Sequence, residues 1–77
     1  GEDTMSHPRK YIVRRADGKP IPPDEPVFVL RGQDALAADV VAYYIHKLEE
    51  AGLNALAERA MEHLRGFEDW PVKKLPD

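Results

Sequence analysis

Arg31, Gln33 and Asp34 place a guanidinium, a carboxamide and a carboxylate within four positions, and Asp24 and Glu25 stand a short way upstream. Such a set can bind a polar or charged group, and junctions between elements often bear function. Each residue also has a purely structural use. Asp34 can cap a helix, Gln33 can satisfy loop backbone groups, and Arg31 can pair with a nearby carboxylate. Tyr11, Val27, Val29 and Tyr43 add aromatic and β-branched surface that could anchor a partner. Together with Arg31, Gln33 and Asp34 they form the candidate binding set.

Three histidines, His7, His46 and His63, raise the question of a metal, and His46 with Glu50 has the four-residue step that brings two ligands together on a helix. Two ligands do not make a site, and spacing fixes no third, so the reading is surface histidine and no metal or cofactor. Nucleophilic chemistry has little to work with. Cysteine is absent, Ser6 is the lone serine, and neither a Gly-x-Ser-x-Gly elbow nor a glycine-rich phosphate loop occurs. The carboxylate pairs Glu49-Glu50 and Glu68-Asp69 are adjacent, so on a helix they point about 100° apart and do not converge. The expectation is a protein that is not an enzyme.

YIVRR at residues 11–15 reads as a strand and Asp17-Gly18 as its turn. Residues 20–26 hold four prolines, which stiffen an extended loop. VFVLR at residues 27–31 then reads as a second strand closed by Gly32. Leu36, Ala37, Val40, Val41, Tyr44, Ile45 and Leu48 recur at helical steps, predicting an amphipathic helix from about 35 to about 51 with Asp34 as cap and Gly52 at its end. Leu56, Ala57, Ala60, Met61, Leu64 and Phe67 predict a second helix ending by Asp69, with Asn54 as its N-cap and Gly66 as a possible early stop. The aromatics Tyr43, Tyr44, Phe67 and Trp70 could anchor a partner but are read as core, Tyr44 within the buried stripe and Tyr43 at its edge. The fold class is therefore α+β: a long-looped β-hairpin, an antiparallel two-helix hairpin and an extended C-terminal tail.

A chain of 77 residues has room for one core. Residues 1–4 precede Met5 and read as a vector-derived leader; residues 1–8 are expected to be disordered and 9–77 to form a single small domain. Hydrophobic residues at 43% and charged residues at 32% are a globular balance. No run of about 18 apolar residues occurs, and no basic segment leads into a short apolar stretch. The expectation is a cytoplasmic protein with no membrane contact and no secretion signal.

Charge is segregated. Residues 5–20 carry five cations, Arg9, Lys10, Arg14, Arg15 and Lys19, against Asp17, whereas residues 34–69 carry eight acids against three bases. A basic β-ribbon can lie in a DNA groove, which makes a small DNA-associated regulator the alternative reading. The favoured explanation is attraction between hairpin and helices, because one short basic strand in a protein of net charge -3 releases few counterions.

The segment DEPVFVLRGQDALAADVVAYY, from Asp24 to Tyr44, with KYI and ADGKPIP upstream, resembles a family of small uncharacterised proteins from bacteriophages of actinobacteria and some bacterial genomes. The resemblance covers about half the chain. It implies a compact domain acting inside a bacterial cell and transfers no catalytic residue. Function is then expected to be that of a non-enzymatic protein-interaction module whose partner is a host or phage protein.

The second strand has apolar side chains on both faces, unlike a half-solvated hairpin. With Phe28 and Leu30 toward the helices, Val27 and Val29 would lie outward beside Tyr11 and Val13, or Ile12, as a patch needing cover. A second copy pairing through the sheet, giving a homodimer, is slightly preferred over cover by Trp70, Val72 and Leu75 of the tail.

Overall fold

The structure, a computed structural model, describes residues 11–76. Two helices dominate it: α1 spans Ala37–Glu50 and α2 spans Asn54–Asp69. They pack on each other as a helical hairpin whose centre is Ile45, Leu48 and Ala57, with Val41, Ala60 and Leu64 against them. The buried face is narrower than the periodic set: Ala37, Ile45, Leu48 and Ala57 are buried and Val41, Ala60, Leu64 and Phe67 half-buried, whereas Leu36, Val40, Tyr44, Leu56 and Met61 are exposed.

The link between them is set by backbone hydrogen bonds. Gly52 has φ +78°, a left-handed conformation that costs glycine nothing. Its N–H donates to Glu49 O at 3.0 Å and the next amide, Leu53, donates to Leu48 O at 2.9 Å, so the last carbonyls of α1 are satisfied and the chain reverses. Gly52 ends the helix as its position predicts. Gly66 does not stop α2, which continues to Asp69, and Trp70 N–H still donates to Gly66 O at 3.1 Å.

The helix starts differ from expectation. Asp34 Oδ1 accepts from Leu36 N–H at 2.8 Å, and Ala37 N–H donates to Asp34 O at 3.1 Å, so the carboxylate closes a turn ahead of α1. Leu36 takes the N-cap position with no side-chain bond. Asn54 is the first residue of α2 and not its cap; that place falls to Leu53.

The expected β-hairpin does not form, and the fold is a helical hairpin, not α+β. Among the described residues no strand occurs, and the sole β-type pairing is one parallel bridge between Asp34 and Lys74. Residues 11–15 and 27–31 have strand propensity, but propensity needs a ladder partner to take effect. The four prolines between them donate no amide hydrogen bonds, and each restricts its own φ. The turn predicted at Asp17-Gly18 forms without strands around it, Gly18 N–H donating to Arg15 O at 3.2 Å, whereas the connection expected to be extended turns at residues 22–25, where Glu25 N–H donates to Pro22 O at 3.0 Å. With no sheet, the sheet-mediated homodimer falls as well. The tail is extended and returns to the residues before α1. Lys74 N–H donates to Gln33 O at 2.8 Å, and Ala35 N–H donates to Lys74 O at 2.9 Å. Among the described residues no helix is long and apolar enough to cross a membrane.

Candidate functional site

The tail positions the best candidate. Because Lys74 ties to residues 33 and 35, the chain leaving α2 at Trp70 is held beside Gly32, where the indole packs 3.4 Å from the place a β-carbon would occupy. Lys73 Nζ adds a second tie, donating to Gly32 O at 3.0 Å and to Phe67 O. Residues 31–33 are thereby laid along the C-terminal half of α2. An open groove of about 440 Å³ results, with Arg31, Gln33, Glu62, His63, Phe67 and Trp70 among its lining residues.

The sequence-predicted residues divide around this groove. Arg31 and Gln33 line it. Asp34 is engaged in the turn before α1. Among the described residues no carboxylate pairs with Arg31; its Nη1 donates to Tyr11 Oη at 3.2 Å and its guanidinium carbon lies 6.0 Å from the Tyr11 ring centroid. Tyr11, Val13, Val27 and Val29 are exposed, as is Phe28, while Leu30 is half-buried. They share no sheet face. Tyr43 is exposed on α1, with Lys47 Nζ 6.0 Å from its ring centroid. Tyr44, assigned to the core, is exposed beside it.

Glu62, His63 and Trp70 are groove residues that spacing alone did not assemble. The steps from His63 to Gly66, Phe67 and Trp70 do mark one side of a helix end. What the sequence lacked was any sign that residues 31–33 would cross that side, since the crossing depends on tail pairing more than forty positions away along the chain.

Chemically the groove suits contact more than proton transfer. Glu62 and His63 are consecutive helical residues, so they diverge by about 100° and do not share one proton path. The lining offers no hydroxyl or thiol nucleophile. What it offers is an indole, a phenyl ring, a cation, an anion and an amide, the mixture found at protein contact sites.

The other clusters are local. Arg15 holds Asp17 through two hydrogen bonds, Nε to Oδ1 at 3.0 Å and Nη2 to Oδ2 at 2.7 Å. This guanidinium, then the Lys19 amide at 3.0 Å, keeps the Asp17 carboxyl below its ordinary value. His46 Nε2 and Glu50 Oε2 meet at 3.1 Å as their step predicts, and Lys47 Nζ takes the other oxygen of Glu50 at 3.0 Å. Among the described residues no group of three or more histidines and carboxylates is placed to hold a metal. Of the basic residues behind the DNA reading, Arg14, Arg15 and Lys19 lie in an irregular segment and not on a ribbon. Arg9 and Lys10, like Ser6, His7 and the rest of residues 1–8, lie outside the described residues.

Compared with protein-family models, with curated proteins and with solved structures, the chain matches nothing in any of the three.

Proposed function

We propose that this chain is a non-enzymatic protein-interaction module. One observation carries the reading. Four residues, Ala37, Ile45, Leu48 and Ala57, make up the buried core, whereas sixteen large hydrophobic side chains among the described residues are exposed. Single exposed apolar side chains are ordinary, but a surplus of this size over so small a core fits a surface that a partner covers. The resemblance to small phage proteins supports a partner met inside a bacterial cell, a host or phage protein. The alternative of a DNA-associated regulator depended on a basic β-ribbon and has lost that support.

The groove supplies the contact, with Trp70 as aromatic anchor and Arg31 as charged one. Affinity capture with the full chain and with an Arg31→Ala/Trp70→Ala variant tests this. The full chain should retain a protein that the variant loses at least tenfold, while circular dichroism shows the helices intact. Equal retention by both, or no protein retained while a nucleotide or metabolite raises the melting temperature, would overturn the reading.

A further inference from the structure

The core accounts for one face of α1, formed by Val41, Ile45 and Leu48, which pack with Ala57, Ala60 and Leu64 of α2. A second apolar strip runs beside it. Leu36, Val40, Tyr43 and Lys47 follow one another at steps of four, three and four, the spacing with which one helix lays a seam against another. Tyr44 borders the strip. Their exposures are 52% for Leu36, 50% for Val40, 64% for Tyr43 and 59% for Tyr44, so at least half of each apolar side chain stands in water.

We propose that this strip is self-complementary and that a second copy of the chain docks on it, the two α1 helices lying antiparallel about a two-fold axis at Tyr43. The inference rests on the reading of the chain as an interaction module but uses residues outside the groove. Area is the first argument. The four apolar side chains, each half or more in water, make a patch on the order of a few hundred Å² per copy, the size of the largest patch on a small protein, which is often functional. Two strips face to face bury at most about 1,000 Å², at the lower bound of a specific interface, which fits a dimer that forms at micromolar concentration.

Charge fixes the orientation. Asp39 lies in the first turn of α1 and Lys47 in its last, each four residues from Tyr43. An antiparallel pair centred on Tyr43 sets Asp39 of each copy opposite the partner's Lys47, twice by symmetry. A parallel pair would instead oppose Asp39 to Asp39 and Lys47 to Lys47. Antiparallel helices also place opposite dipole ends together. The seam, the area and the charges agree on one occupant, another copy of α1.

Sedimentation equilibrium of the full chain from low to high micromolar concentration tests this, with circular dichroism confirming that each variant keeps its helices. The full chain should form a dimer and Tyr43→Glu should be monomeric. Asp39→Lys, a surface change that leaves the core alone, should weaken the dimer about tenfold by replacing two attractions with two repulsions. Asp39→Lys/Lys47→Asp should restore it, which a merely structural role for either residue would not do. A full chain that is monomeric at high micromolar concentration overturns the proposal. So does a dimer indifferent to Tyr43→Glu, or a different captured protein that Tyr43→Glu alone releases. Capture through Arg31 and Trp70 is unaffected by the first two results, so the two readings fail separately.

Discussion

Asp17 shows how much a single exposed residue can organise. Its carboxylate takes both guanidinium hydrogen bonds of Arg15 and the Lys19 amide, and Gly18 supplies the left-handed φ of +81° that lets the turn close. The Arg15 guanidinium, followed by the Lys19 amide, holds the carboxyl below its ordinary value. A depressed carboxylate contributes its stabilisation above the unfolded pKa and loses it as pH falls through the folded one. The turn at residues 15–19 should therefore be ordered at neutral pH and loosen in acid, below the pH at which a free aspartate protonates. Titration of the Asp17 carboxyl carbon by NMR should give a midpoint below that of the same group in Arg15→Ala. Coincident midpoints would show that the guanidinium does not hold it. At this scale the sequence was partly legible. Asp-Gly announced the turn, but nothing in the spacing announced that Arg31 would donate to the phenol of Tyr11.

At the scale of elements, the two glycines of the helical hairpin make opposite predictions. Gly52 needs its positive φ, so Gly52→Ala forces a β-carbon into the left-handed region at a cost of about 1–2 kcal/mol. Gly66 lies within α2, and a β-carbon there meets nothing within 4 Å. Gly66→Ala should stabilise by about 1 kcal/mol through helix propensity and a less flexible unfolded chain. Thermal melts should move in opposite directions, and a lower melting temperature for Gly66→Ala would contradict the open space around it. Both helices were legible because a helix satisfies its backbone within itself and writes its buried face as a period of three and four. The strands were misread because a strand is completed by another segment. Residues 11–15 and 27–31 carry the right side chains, yet the prolines at 20, 22, 23 and 26 leave the ribbon between them short of amide donors. The groove was illegible for a related reason: its floor is α2, but its wall is held by the pairing of Lys74 with Gln33 and Ala35.

For the whole molecule, the deciding quantity is how little apolar side chain is buried. A domain of this length draws only about 3–5 kcal/mol from one core, and here that core is Ile45 and Leu48 with two alanines. Truncating a buried leucine removes its transfer free energy and leaves a cavity, at a cost of about 2–5 kcal/mol. That cost is of the same size as the stability available, so Leu48→Ala should lose most of its helical circular dichroism at room temperature. Leu75, 70% exposed in the tail, offers the contrast. Leu75→Ala removes the same atoms from water-facing surface and should shift stability by no more than about 0.5 kcal/mol. If the two variants melted alike, the packing of α1 on α2 would not be what holds the fold. A Leu48→Ala chain that regained helicity as its concentration rose would show a second copy supplying the missing burial, because association stabilises the folded state by mass action.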